Sequence, residues 1–467
     1  MSKPTSSMRP NDKNYFDGQW LRKASMLEQM MDNRHKQGHF LVWYQLALKS
    51  KAPLQEEQVK RAVIHLYRRV PNLGVALAPR EGTLWLKRAT NPNVDFKVLQ
   101  GQTVEEVRGI LCAFQSNTET GPMFCARLLK DSPDKISDID PEDLDPDLKH
   151  SYFMFFGFHH GVVDGTTNMY IMGFFISILN DIISNRPIND DEPLGEYFPE
   201  DATVKLILRK KEMIESDSRL RDRLIQENEV QKNQKANITQ ISDKTSTEKR
   251  TVTLARVLSQ NVTLKFIQKC RQEKVTVNSA FSALVAVALT DTLVEYGLVK
   301  DSYSVPNFHL VNLRRYWENK PPISLGCHFG GPLKLYTETP RNLGDKFWDY
   351  VRSLHQLIKD GIESEKVLTD KALHLLTHTD KEYEGDFVTS NLGNVTPLVT
   401  DGGEHVKISH IIRSTTIHCI KSPVVINLHT FRGKFTMMFD YNSGAVRKDI
   451  AEKYCSQILT RLFGILE

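Results

Sequence analysis

Residues 153–167 read FMFFGFHHGVVDGTT, and every other segment is best read outward from them. The aromatic run Tyr152–Phe158 predicts a buried strand. It enters the glycine-flanked loop His159-His160-Gly161-Val162-Val163-Asp164-Gly165. From Thr166 the pattern turns helical through Ile183, with Thr166 or Thr167 as the expected N-cap. Loops of this kind hold functional residues on a rigid scaffold. Chance explains the motif poorly: two histidines, an acid and a glycine at these spacings are expected on the order of 0.003 times in a chain of this composition. The plain alternative is a pair of core histidines beside an Asp-Gly turn.

N-terminal to this stretch, Phe16, Trp20, Ala24, Leu27 and Met31 recur at steps of three and four, predicting a helix from Phe16 to Lys36. It either packs on the body or, being basic and amphipathic, lies on a bilayer surface. A strand is expected from Phe40, a helix over Leu54–Val70 with a break at Pro71-Asn72, and a strand over Met123–Leu129. Residues 131–149 (DSPDKISDIDPEDLDPDLK) carry eight acids and three prolines and read as a mobile surface insertion. They lack the spacing of a calcium loop.

C-terminal to it, a polar stretch from Asn185 leads to a charged helix over Lys205–Glu229. Asn228–Lys249 reads as a linker. The second half restarts with the strand RTVTLARV and helices over Gln260–Glu273 and Asn278–Tyr296. Strand FHLVNL, a helix over Leu343–Gly361 and a loop holding SNLGN follow. VVINLHTF and FTMMFDY form a hairpin turning at Arg432-Gly433-Lys434, and the last helix is Arg447–Ile465. Both halves mix strands and helices, so the fold class is α/β (α+β). The division expected is an N-terminal lobe over 1–200, a crossover helix and linker over 201–250, and a C-terminal lobe over 251–467.

The 467 residues suit two lobes. Sixty-one basic against 57 acidic residues leave +4, which argues against a dedicated nucleic-acid binder. Six cysteines, at 112, 125, 270, 327, 419 and 455, form no CxxC pair and fit a reducing compartment. The N-terminus lacks the apolar stretch of a signal peptide, so the sequons at Asn237, Asn261 and Asn394 read as chance. The apolar stretch Tyr170–Ile183 is too short for a membrane span.

His159, His160, Asp164 and Gly165 match the HHxxxDG signature, and the chain resembles the CoA-dependent acyltransferase superfamily of chloramphenicol acetyltransferase, plant BAHD enzymes, condensation domains and fungal alcohol acetyltransferases. The resemblance covers most of the chain. SMLEQMMDNRHKQGHF resembles the alcohol-acetyltransferase opening, and QVKRAVIHLYRRVPNLGVAL the family's helix with its H/R-x-P-x-L end. VTVNSAFSALVAVAL, VNLRRYW with LGCHFGG, and TSNLGNV follow in the family's order. The DFGWG motif of plant members is absent, with FDYNSGAV near that end.

The resemblance implies two chloramphenicol-acetyltransferase-like lobes, each a mixed sheet with flanking helices, and an active-site tunnel between them. It implies His160 as general base, since imidazole can take a proton at neutral pH and return it. Asp164 is either a triad carboxylate or, as the family suggests, a loop anchor paired with Arg314, with Arg315 as fallback. Gly165, and Gly161 beside it, allow close backbone approach. His159 supports the motif structurally. Ser390 and Asn391 either donate to the thioester oxygen or pantetheine arm of the co-substrate acetyl-CoA, or form a turn. His418 and His328 are structural or line the acceptor pocket. Expected partners are a small hydrophobic alcohol or amine, with no nucleic acid and no metal, acting on a monomer. The expected location is cytoplasmic, with peripheral contact at the endoplasmic reticulum or lipid droplets left open. The alternative function is a non-catalytic acyl-CoA- or ligand-binding protein. A hydrolase would need G-x-S-x-G, a zinc protease H-E-x-x-H, and a nucleotide enzyme a P-loop or G-x-G-x-x-G; none is present.

Overall fold

Strand His150–His159 runs through a five-stranded sheet. Leu41–Ser50 and Phe124–Lys130 flank it, both antiparallel, with Leu41 opposite His159 and Phe124 opposite Phe158. Val406–Thr415 forms one edge, antiparallel to Leu41–Ser50, and Asp95–Gln100 the other, parallel to Phe124–Lys130. The inner strands are buried on both faces, so they read as near-continuous apolar runs rather than alternating ones. Helix Gly165–Ile183 buries Met169, Met172, Phe175, Ile176 and Leu179. Helix Glu56–Arg69 packs on it and buries Val59, Ala62, Val63 and Leu66, one face at helical spacing.

The computed structural model describes residues 18–134, 145–197, 201–232, 234–242, 249–377, 384–400, 402–418 and 420–467. The chain divides into two compact units. The first comprises Met1–Pro199, Asn319–Cys327 and Val395–Thr415, and the second Glu200–Glu318, His328–Asn394 and Thr416–Glu467. The contiguous division expected from sequence, with 251–467 in one lobe, therefore differs at two later segments. Val406–Thr415 supplies an edge strand of the first unit, and Ser324–Leu325 pairs in parallel with Glu196–Tyr197. Neither pairing leaves a local trace in the sequence.

Asn180 secures the first of these crossings. It is buried inside helix Gly165–Ile183, and its Oδ1 accepts from the amides of His405 (3.1 Å) and Val406 (3.0 Å). Its Nδ2 donates to the carbonyls of Val406 (2.9 Å) and Ile176 (2.8 Å). One side-chain amide thus uses its whole bonding capacity to seat a strand that arrives more than two hundred residues later.

The second unit holds a six-stranded sheet in the order Phe329–Pro340, Ser302–Asn312, Phe387–Asn394, Val424–Phe431, Lys434–Asn442, Thr251–Val257. Ser302–Asn312, Phe387–Asn394 and Val424–Phe431 are mutually parallel neighbours, and the other pairs are antiparallel. The expected hairpin is present with a two-residue turn: Phe431 pairs with Lys434, and Arg432 (φ 48°) and Gly433 (φ 72°) take the left-handed conformations a tight hairpin needs. Helix Val277–Glu295 has the length and apolarity to cross a membrane. Its Phe281, Leu284, Val285 and Leu289 are buried in this unit's core, with Val351, Leu354, Tyr454 and Ile458 from helices Phe347–Glu363 and Lys448–Gly464.

Four local expectations need correction. The helix predicted over Phe16–Lys36 begins at Met26, and Trp20–Lys23 is a strand paired with Thr83–Arg88. Ser25 and Glu28 form a reciprocal capping box that starts the helix there. Phe16 lies outside the described residues, as do 135–144 of the acidic insertion. The charged helix over Lys205–Glu229 is two helices, Asp201–Ser216 and Ser218–Lys232. The linker over Asn228–Lys249 contains a short helical turn, Asn237–Gln240, with Ala236, Asn237 and Ile238 buried. Asp386 holds that turn, accepting from Asn237 Nδ2 (2.7 Å) and the Ile238 amide (3.1 Å), while burial pushes its carboxyl up to about 7. Finally, SNLGN is the end of strand Phe387–Asn394 rather than a loop.

Asn180→Ala removes the seat of strand Val406–Thr415 and leaves buried backbone groups unpaired. The expected cost is about 3 kcal/mol of unfolding free energy, read by urea denaturation. A change within ~0.5 kcal/mol contradicts this account of the crossing.

Candidate functional site

The motif loop belongs to the first unit, and its backbone is pinned at both ends. On the strand side, His159 is fully buried, and its Nδ1 accepts from the Gly161 amide at 3.0 Å. The lone pair therefore sits on Nδ1 and the proton on Nε2, which faces Asp32 Oδ1 at 3.6 Å. Asp32 also pairs with Lys36 at 2.7 Å. Burial pushes the Asp32 carboxyl up, but His159 and Lys36 outweigh it and hold the carboxyl below its ordinary value. His35 stacks edge-on against His159, with ring centroids 4.5 Å apart, and accepts from the Ser116 amide and hydroxyl. Burial, reinforced by His159, drives the His35 imidazole down to about 3, so it stays neutral. A Cβ on Gly161 would lie 2.9 Å from His159 Cε1, so glycine is required where the chain folds back over that ring.

On the helix side, the N-cap of Gly165–Ile183 is Asp164, not Thr166 or Thr167. Its Oδ1 accepts from the Thr167 amide at 2.9 Å. Gly165 is the first helical residue. Thr167 Oγ1 donates to the Gly326 carbonyl (2.7 Å) and accepts from the Gly326 amide (3.1 Å), fastening segment Asn319–Cys327 to the helix start.

Between these anchors lies His160, half-buried. Its Nδ1 is 2.8 Å from the carbonyl oxygen of Val163. A carbonyl only accepts, so Nδ1 carries the hydrogen and the neutral ring keeps its lone pair on Nε2. The nitrogen that a triad carboxylate would hold is thus given to the backbone. Burial lowers the imidazole's basicity, with the Val163 carbonyl and Asp164 opposing, and the net direction is downward. A neutral imidazole with a fixed Nε2 lone pair can take a proton from an attacking nucleophile.

Three neighbours of the histidines escaped the sequence reading. Cys327 Sγ lies 3.9 Å from His160 Nδ1, and the Phe40 ring lies edge-on at 6.4 Å, held in a left-handed backbone (φ 52°). Asp32 lies under His159. Asp32 and Lys36, four apart on a helix and off its apolar stripe, were the one signal that could have found it.

The second unit carries the other candidates. Arg314 is buried in the turn Leu313–Tyr316, its amide bonded to Asn312 Oδ1 (3.1 Å) and its guanidinium 6.0 Å from the Trp317 ring centroid. Ser390 and Asn391 lie on strand Phe387–Asn394, opposite Asn427 and Leu428. Asn391 Oδ1 accepts from the Gly393 amide at 2.8 Å, which closes a bulge where Gly393 has φ 69°. These residues gather toward the carboxyl ends of parallel strands, where ligands commonly bind. Asn427, beside Ser390, donates to the buried Asp440 at 2.7 Å, a polar pair with no sequence signature. His328 packs edge-on against Trp317 at 4.7 Å, and His418 lies 3.4 Å from Thr251 Oγ1. Among the described residues no group of three or more His, Cys, Asp or Glu is placed to hold a metal ion.

Solved structures share this fold along nearly the whole chain. The epimerization domain from the third module of tyrocidine synthetase B superposes with a TM-score of 0.64 at 11% identity, covering 96% of this chain and 98% of its own. The trichothecene 15-O-acetyltransferase TRI3 from Fusarium sporotrichioides gives 0.65 at 12%, covering 95% and 97%. The first condensation domain of the CDA synthetase gives 0.67 at 12%, covering 96% of each. No protein-family model and no curated sequence matches the chain. The fold is therefore the two-lobed, mixed α/β fold of condensation domains and of an acetyltransferase, as the HHxxxDG resemblance implied.

Asp32→Ala strips the buried His159 of its facing carboxylate. It is expected to lower the unfolding free energy by about 2 kcal/mol at pH 7. The loss shrinks as pH falls: the carboxyl is held low in the folded state, so its contribution is present above the ordinary carboxylate pKa and lost below the folded one. Denaturation at pH 7 and pH 3 checks both points, and an equal cost at the two values contradicts them.

Proposed function

We propose that this protein transfers an acetyl group from acetyl-CoA to the hydroxyl or amine of a small hydrophobic acceptor. The observation that carries the reading is the bond from His160 Nδ1 to the Val163 carbonyl, which presents Nε2 as the basic nitrogen. As the acceptor attacks the thioester carbonyl, Nε2 takes its proton. The tetrahedral adduct collapses, the C–S bond breaks, and the proton passes from Nε2 to the departing sulfur. The products are an acetyl ester or amide and free CoA, with no acyl-enzyme required.

In this reading Asp164 holds the loop through its helix cap, and Arg314 steadies the neighbouring strand end. Ser390 and Asn391 donate to the thioester oxygen as it gains charge. The apolar Phe40 ring beside the motif favours a hydrophobic acceptor. Exposed Trp20, Leu21, Met26 and Met30, with Lys23 among them, support the further proposal that the protein works at the surface of the endoplasmic reticulum or lipid droplets.

The test is CoA-thiol release from acetyl-CoA across a panel of alcohols and long-chain amines. An acceptor should stimulate release, and His160→Ala should lower kcat by about 100-fold or more. Because the base works neutral and its pKa is lowered, kcat should rise through an apparent pKa below 6.5 and stay level above it. Acceptor-independent release, or an unchanged His160→Ala rate, sinks the reading and leaves ligand binding as the role of the fold.

A further inference from the structure

The second unit contains a cleft of about 860 Å³ that holds none of the candidate site residues. Helices Val277–Glu295 and Lys448–Gly464 form two walls, and residues 341–347 the third. Its volume lies within the range of small-molecule sites. The apolar lining comes from Leu284, Val287, Val294, Leu343, Phe347 and Ile465.

Two carboxylates and two guanidiniums line it, and both carboxylates are already paired. Asp291 is taken by Arg461, whose Nη2 and Nε both reach it at 2.6 Å. Glu295 is taken by Lys453 at 2.7 Å. Arg341 also lines the cleft, and its guanidinium has no ion-pair or hydrogen-bond partner among the described residues; only its backbone amide is bonded, to the Asp301 carbonyl. The first turn of the helix that continues to Glu363 opens on the same cleft at Gly344, with no side chain capping it. Asp345 and Asp349, in the first turns there, offset the positive potential of its amide end. The two helix C-termini that reach the cleft contribute less negative potential than bare ends would, because following amides bond their last carbonyls: Gly297 to Val294 at 3.1 Å and Leu466 to Phe463 at 3.0 Å.

A cleft of mixed polar and apolar lining with one unpartnered guanidinium at its rim matches a ligand with an apolar tail and an anionic head. We infer that this cleft binds a single-chain aliphatic carboxylate, its head on the Arg341 guanidinium and its tail along Val287, Val294 and Phe347. Arginine is suited to the head because its planar fork meets a carboxylate with two donors. The site is independent of the acetyl-transfer reading, since it shares no residue with the histidine motif.

The probe is dodecanoate, titrated calorimetrically below its micellar concentration against the full chain, with dodecanol and dodecylammonium as controls. Dodecanoate should bind with one-to-one stoichiometry, about tenfold or more tighter than dodecanol, and dodecylammonium should be weakest. Arg341→Glu, a change on a partly exposed loop, should abolish the preference for the carboxylate while leaving dodecanol binding in place. Leu343→Asp should weaken both. Circular dichroism confirms that each variant is folded. Absent binding, equal affinity for dodecanoate and dodecanol, or a carboxylate preference that survives Arg341→Glu overturns the proposal. Acetyl transfer measured on Arg341→Glu keeps this outcome separate from that of the active-site reading.

Discussion

One hydrogen bond, from His160 Nδ1 to the Val163 carbonyl at 2.8 Å, sets what this loop can do. It spends the ring nitrogen nearer the backbone and leaves the other as the basic one. In a triad a carboxylate does this work and also stabilises the imidazolium that forms. Here a neutral carbonyl takes the proton-bearing nitrogen, three residues along the same loop. The imidazole is thus oriented by a local turn, and which of its nitrogens keeps the lone pair depends on how firmly that turn is held.

The first unit's architecture can be read as the support for that turn. His159 is locked below it by the Gly161 amide, with Asp32 and His35 packed around the ring. Asp164 ends the loop as the cap of a long buried helix, and Thr167 fastens a distant segment across the helix start. Asn180, four turns further along the helix, seats the strand that completes the sheet. Buried polar groups are costly unless satisfied, and Thr167 and Asn180 on this helix bond the remote chain segments that join the motif's unit.

What was legible in the sequence was local. The run from Phe153 to Thr167 shows its strand, loop and helix in consecutive residues, and the turn at Arg432-Gly433 shows itself in the same way. Helices such as Glu56–Arg69 were legible from spacing alone. What was not legible was long-range. Strand Val406–Thr415 carries no sign that its partner is Leu41–Ser50, and Asn180 is one polar residue within the apolar stretch Tyr170–Ile183. Residues 236–238 hid in a polar segment because two apolar side chains and one asparagine are too few to form a pattern. The strand Trp20–Lys23 differs in kind: the Ser25–Glu28 capping box stands in the sequence, but the apolar stripe from Phe16 to Met31 runs straight through it. At the site, the two histidines and Asp164 were found because their spacing is unusual. Asp32, Cys327 and Phe40 reach them only through folding.

The central claim is that the neutral His160 ring carries its hydrogen on Nδ1 and its lone pair on Nε2. Nitrogen-15 NMR of histidine-labelled protein, with the His160 resonances assigned by comparison with His160→Gln, measures this directly. The account predicts an Nδ1–H, a pyridine-like Nε2 at pH 7, and an imidazolium forming only below pH 6.5. A pyridine-like Nδ1, or an imidazolium persisting at pH 7, would contradict it.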